Sequence, residues 1–278
     1  MYDTFARSWA LARASASVLR SKRELLLFPL ISGLCMAVVL ATFLLPALAL
    51  RMFADGFGIG AAVLGLAFYF VQYGVIVFFN CALVGAALIR LDGGDPTLAD
   101  GLRAARDRLG SILGYAAIAA TVGVALQALR RRPGNLLARL LGASLGVAWT
   151  LATFLVVPVL VSRSLGPVDA LRESVALLRR TWGENAVGQV GIRAVSGLLG
   201  LAVGLAGAAL SVLAAQASLA LAVAVAALSA LAVLLVAVCQ AALAGVYSAA
   251  LYRYAVTGDT PAAFREAGLA QAFLPASR

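Results

Sequence analysis

Residues 218–251 read SLALAVAVAALSALAVLLVAVCQAALAGVYSAAL, without one Asp, Glu, Lys or Arg. About 20 apolar residues cross the hydrocarbon core of a bilayer, and a surface facing water needs far more charge than this stretch carries. It therefore reads as a membrane span. Working back along the chain, the same reading predicts five more spans: Leu25–Leu50, Ile59–Ile89, Ile112–Leu129, Leu136–Val161 and Ala186–Leu213. The second and the last are longer than a crossing requires, which predicts tilting, kinking or extension past the headgroups. The third is close to the minimum length. Of 278 residues, 63% are hydrophobic and only 12% charged, with mean hydropathy +0.99. The expected fold is an all-α polytopic membrane protein with six transmembrane helices, forming one membrane domain over residues 1–278.

The net charge of +10 would suggest nucleic-acid binding in a soluble chain, but no basic patch interleaved with stacking aromatics lies outside the spans. Cations that flank spans set orientation and meet anionic headgroups. With the N-terminus inside, the cytoplasmic segments hold Arg7, Arg13, Arg20, Lys22, Arg23, Arg90, Arg103, Arg106, Arg108, Arg163, Arg172, Arg179, Arg180, Arg253, Arg265 and Arg278, sixteen of the 22 basic residues. Both termini are thus expected in the cytoplasm. The Ala, Leu, Val and Arg bias fits a bacterial inner-membrane protein. Outside lie Arg51, Arg139 and the triplet Arg130–Arg132, which departs from the positive-inside bias.

Between the spans, short segments carry helical periodicity: Phe5, Trp9, Ala12 and Ala16; Leu98, Leu102, Ala105 and Leu109; Leu171, Val175, Leu178 and Trp182. Such stripes predict amphipathic helices lying in the membrane interface. Asp95-Pro96 and Gly166-Pro167 are their predicted start signals. Three spans also end alike, at Arg90 before Gly94-Asp95-Pro96, at Arg163 before Gly166-Pro167, and at Arg253 before Gly258-Asp259-Thr260-Pro261. The chain parses as three parallel span-pair repeats, roughly 1–94, 95–165 and 166–258, each led by an amphipathic helix. An amphipathic tail over 259–278 follows, with Ala262–Phe273 as its helical part.

The N-terminal stretch Ser8-Trp9, Ser17-Val18-Leu19-Arg20, Lys22, Glu24-Leu25 and Phe28-Pro29-Leu30-Ile31-Ser32-Gly33 resembles that of an uncharacterised family of bacterial six-span membrane proteins, defined by a domain of unknown function. The resemblance covers about the first 33 residues, with a looser likeness in span order. It implies a membrane protein and no activity.

Chemistry is sparse. There is no His, and Cys35, Cys81 and Cys239 lie far apart in apolar runs, as small core hydrophobes. No catalytic set, metal set or cofactor motif is legible, so no enzymatic activity is expected. Gly197, Gly200, Gly204 and Gly207 lie in an apolar helix, and the Gly200-x-x-x-Gly204 spacing favours helix packing. Charged and amide side chains inside spans stand out by their cost. The candidate cavity-lining residues are Gln72, Asn80, Gln127, Gln189, Arg193 and Gln240, with Gln189 and Arg193 on one face. Pro29, Pro46 and Pro158 are candidates for bends that free carbonyls toward such a cavity. Candidate anionic-lipid contacts are Arg20, Lys22, Arg23, Arg179 and Arg180.

Two functions compete at this level. Repeated span pairs enclosing a pathway predict a passive channel or transporter-like protein, anion-preferring through Arg193 and the external arginines. Interfacial helices rich in arginine predict instead a non-transporting, lipid-binding or membrane-organising protein. The expected partners are membrane lipids and, for the channel, small anionic solutes; a homo-oligomer fits either, and nucleic acid fits neither.

Overall fold

The computed structural model describes residues 2–49, 59–130, 136–181 and 187–265, and every regular element among them is helical. In order they are α1 (Tyr2–Ser21), a 3-10 turn (Arg23–Leu26), α2 (Leu27–Ala49), α3 (Ile59–Leu91), α4 (Leu98–Arg106) and α5 (Leu109–Arg130). There follow α6 (Leu136–Ala152), α7 (Val156–Ser162), α8 (Pro167–Thr181), α9 (Val187–Ala215), α10 (Leu219–Thr257) and a 3-10 turn (Ala262–Phe264). Five stretches are long and apolar enough to cross a membrane: Arg23–Leu48, Val63–Leu91, Leu109–Arg130, Leu140–Ser162 and Leu219–Thr257. The near-minimal third prediction is among them, as the 22-residue α5. α9 is a further long helix of 29 residues. Its described side chains form the shorter apolar segment Gly200–Ala215.

The predicted fourth span is not one helix. It breaks at Thr153–Leu155, and α6 and α7 are its two pieces. Pro158 explains the position, because its ring displaces the carbonyl four residues earlier and it has no N–H to donate. The Val156 N–H turns back to the Thr153 carbonyl at 3.2 Å, and Ala152 O and Leu155 N–H lose their helical partners. Ser174 on α8 takes both: its hydroxyl donates to Ala152 O at 2.7 Å and accepts from Leu155 N–H at 3.2 Å. Its side chain is fully buried. Pro29 sits in the first turn of α2, where a missing N–H costs nothing, and Pro46 lies inside α2 near its end.

α1, α4, α8 and the 262–264 turn gather at one end of the bundle. There α1 packs on α9 and α10, α4 on α3, and α8 on α6 and α7. The arginines that end α3, α7 and α10 tie this end together. Arg90 donates to Ser21 Oγ and to Gly94 O, each at 3.2 Å. Arg163 pairs with Glu173 at 2.7 Å. Arg253 pairs with Asp92 at 3.0 Å and also donates to the Leu91 carbonyl. The core lies just inside this end, where Leu83, Val84, Leu155, Val156, Val159, Leu160 and Leu251 are all buried to 1% exposure or less. Toward the other end large apolar side chains face outward, among them Leu45, Leu205, Leu213 and Leu228.

The α8 helix buries a face offset from its predicted stripe, while the α4 stripe packs on the core through Leu98, Leu102 and Ala105. On α8 the buried residues are Ala170, Ser174 and Leu177, one position before each of Leu171, Val175 and Leu178. Small side chains face inward because α8 must come close enough for Ser174 to reach the break. On α1 the buried face runs through Ala14, Ser15, Val18 and Leu19, while Ala16 is half-buried; the side chains of Phe5, Trp9 and Ala12 lie outside the described set. On α4, Gly101 and Ala105 are buried with Leu98 and Leu102 packed beside them. Leu109 instead begins α5 and is exposed. Phe264 is fully buried, and its 3-10 turn docks on α1; most of the predicted tail helix lies outside the described residues.

The start signals also resolve. Pro167 opens α8, but α4 is capped by Thr97, not Asp95. Thr97 and Asp100 form a reciprocal capping box. Left-handed glycines follow α3 and α10: Gly93 at φ 91° and Gly258 at φ 75°, a conformation that a Cβ disfavours. Asp95 is held below the ordinary carboxylate range by the hydrogen bond from Lys22, 2.9 Å away. Asp100 is held there by hydrogen bonds from Thr97. With folded-state pKa values below the unfolded ones, both contribute stability above about pH 3.9 that is lost as pH falls through the folded values. Amide protection in α4, taken relative to the intrinsic exchange rate at each pH, should therefore fall on acidification below that point. In Asp100→Asn most of this acid-dependent loss of protection should be absent; an unchanged acid response would mean that the box does not hold the helix.

Candidate functional site

The broken span opens one wall of a cavity of about 540 Å³. α3 supplies Tyr73, Ile76, Val77, Asn80 and Val84, and α5 supplies Tyr115. Trp149 and Thr150 of α6, Thr153 and Phe154 of the break, and Val157 of α7 form a second side. α10 closes the third with Ala237, Gln240, Ala241, Ala244, Gly245 and Ser248. None of these side chains is a carboxylate or a cation.

Depth follows from helix geometry. Asn80 precedes Arg90 by ten residues and Gln240 precedes Arg253 by thirteen. At 1.5 Å per residue these are about 15 Å and 20 Å from the arginine end, near the middle of a core ~30 Å thick. Non-helical backbone at that depth persists only where protein buries it or it lines a cavity, and here it does both. Ser174 secures the back of the break, while Thr153 and Phe154 face the cavity.

The polar lining is internally ordered. Tyr115 lies beside the Thr153 side chain, whose hydroxyl donates to the Trp149 carbonyl at 2.8 Å. Thr150 donates to Gly146 O at 2.8 Å, and Ser248 to Gly245 O at 2.9 Å. The amides of Asn80 and Gln240 add both donors and acceptors from opposite walls. At the arginine end the cavity is blind, stopped by the packed layer around Leu83, Leu155 and Leu251. At the other end its rim residues Thr150 and Ala237 are exposed.

Of the six residues expected to line a cavity, Asn80 and Gln240 meet here. Gln72 lies on α3 outside this lining; its amide oxygen is buried and accepts no hydrogen bond. Gln127 is exposed on α5. Gln189 and Arg193 lie in the part of α9 whose side chains fall outside the described set. Tyr115, Trp149, Thr150 and Thr153 were not anticipated, because aromatic and hydroxyl residues are ordinary in apolar helices; the Pro158 break was the one clue pointing at them. Among the expected lipid contacts, Arg20, Arg23 and Arg179 are exposed. Lys22 is engaged by Asp95 and Glu24, which draws it away from headgroups, and the Arg180 side chain lies outside the described set. Arg130 folds back to donate to Gly142 O at 3.1 Å, while Arg131 and Arg132 lie outside the described residues. Among the described residues no three His, Cys, Asp or Glu side chains gather to hold a metal ion. The three cysteines are free thiols.

A helical fold with five membrane-crossing stretches and a polar cavity sunk among them defines an integral membrane protein. The chain belongs to DUF6159, a family of unknown function, which matches residues 58–262. That match begins beyond the Ser8–Gly33 stretch that carried the resemblance. No curated protein matches the chain.

Proposed function

We propose that this is a transporter-like bacterial inner-membrane protein that holds an uncharged molecule in the cavity beside Asn80 and Gln240. The observation that carries the reading is a cavity at mid-membrane depth, lined by uncharged side chains that include Asn80 and Gln240 and walled by a broken helix. Transporters commonly place their substrate sites at such breaks. The blind arginine end argues for a binding site with one open side over a continuous pore. An anion preference gains nothing from a lining without a cation. With α9 as the sixth span, α2/α3, α5/α6–α7 and α9/α10 form three out-and-back pairs. Support for the repeats comes from α4 packing on α3 and α8 on α7, with α1 closing the ring on α10. The positive-inside bias of the basic residues supports a cytoplasmic arginine end with both termini on that side.

Cysteine labelling tests both the topology and the site. In a chain lacking its native cysteines, Ala54→Cys should react with a membrane-impermeant thiol reagent in intact cells, and Ala99→Cys only after permeabilisation. Ala244→Cys, inside the cavity, should react with a small water-soluble methanethiosulfonate from outside. A folded protein whose Ala244→Cys reacts from neither side has no accessible cavity, and the reading fails. Chloride flux through proteoliposomes above that of empty ones would restore the anion channel in its place.

A further inference from the structure

We propose that the molecule this cavity accepts is an amphiphile with an uncharged, hydrogen-bonding headgroup, arriving sideways from the bilayer between α6 and α10; this rests on the transporter-like reading above. The cavity walls motivate the route. α3 packs along both α5 and α10, and α5 along α6, so the back and one flank are continuous. The front seam runs between the broken span and α10. Near the arginine end it is shut, because α7 packs on α10 and the Phe154 and Tyr247 rings meet at 6.5 Å. Above the break, among the described residues, α6 and α10 do not pack along each other. There the cavity rim is formed by Thr150 and Ala237, both exposed.

The flanks of that opening are apolar. Leu141 and Leu145 precede Trp149 by eight and four residues and share its helix face, at 58% and 52% exposure. Leu234 continues the face of Ala237 and Ala241 on α10, at 45% exposure. A pocket that holds the amides of Asn80 and Gln240 and the hydroxyls of Tyr115 and Thr153 among apolar side chains thus runs into a wholly apolar cleft open to hydrocarbon. A water-borne solute gains nothing from such a cleft, whereas an amphiphile places its head in one part and its chain in the other. The head is uncharged because a buried charge without a partner is strongly disfavoured, and no lining side chain offers one. Hydroxyl, amide and ester groups match Asn80, Gln240 and Tyr115.

The test uses the full chain in phospholipid nanodiscs, with Ala244→Cys as its single cysteine and methyl methanethiosulfonate as the probe. Adding 1-monooleoylglycerol should slow the reaction about fivefold, as for a site ~80% occupied. Lysophosphatidylglycerol, with a similar chain and a charged head, should not. Ala237→Trp, which fills the rim, should abolish the protection, measured against that variant's own reaction rate without lipid. Reaction without protection by the monoacylglycerol would overturn the amphiphile and leave the cavity reading standing. Equal protection by both lipids would overturn the uncharged head. Protection that survives Ala237→Trp would overturn the lateral route. Absence of any reaction, in protein shown to be folded by gel filtration and circular dichroism, would take down the cavity reading itself.

Discussion

Ser174→Ala is expected to destabilise the protein by roughly 2–6 kcal/mol, since an orphaned buried polar group costs about 1–3 kcal/mol and this change orphans two. The Ala152 carbonyl and the Leu155 N–H have no helical partners across the break. Around them lies protein and, beyond it, hydrocarbon, so water cannot substitute cheaply. Thermal unfolding in mild detergent reads the loss. Ser174→Cys, which keeps a weak donor and acceptor, should fall between alanine and wild type. A Ser174→Ala protein as stable as wild type would show that the break satisfies itself and that α8 is only a cover. The variant should also blunt labelling of Ala244→Cys, because a collapsed break removes the wall formed by Thr153 and Phe154.

The second large effect is expected at Gly101→Ala. A Cβ there would lie 2.6 Å from the Ala82 carbonyl oxygen and closer still to the Phe28 ring. The carbonyl belongs to the buried backbone of α3 and cannot swing aside, so α4 must lift off the helix beneath it. Overpacking of this kind costs about 1–3 kcal/mol and sometimes more. Gly110→Ala is the control, because a Cβ at that position meets nothing within 4 Å. There alanine's better helix propensity should stabilise by up to ~1 kcal/mol. Unfolding midpoints that move alike for the two variants would mean that α4 does not sit on α3 as described.

The same reasoning separates two kinds of glycine on α9. Gly200 and Gly204, the pair whose spacing suggested close packing, would place a Cβ at ordinary contact with α10, 4.0 Å from Val236 and 3.9 Å from Val233. The tight approach lies one turn further on, where a Cβ at Gly207 would overlap Ser229. Spacing identified the helix face correctly and misplaced the point of contact, since the crossing point depends on how two helices meet.

Local composition was enough for the membrane-crossing stretches. A run such as Ser218–Leu251 has no stable home in water, whatever its neighbours. Helix boundaries fell close to prediction for the same reason, with Gly258 and Pro167 acting where the chain itself forbids or favours helix. Asn80 and Gln240 were legible as site candidates because an amide in an apolar run costs energy wherever it points. Their direction was not legible. Gln127 has the same chemistry in the same kind of helix and is exposed, because helix rotation is set by contacts that no single helix encodes. The α8 stripe shows the same limit: Leu171, Val175 and Leu178 are apolar at helical spacing and half-buried, yet Ala170 and Ser174 face the core. In a bilayer both sides of a helix can be apolar, so hydrophobicity loses the power to name the inner face, and close fit between small side chains decides it. Pro158 announced a break, but only tertiary structure brought Ser174 from another helix to complete it and set the cavity against the gap.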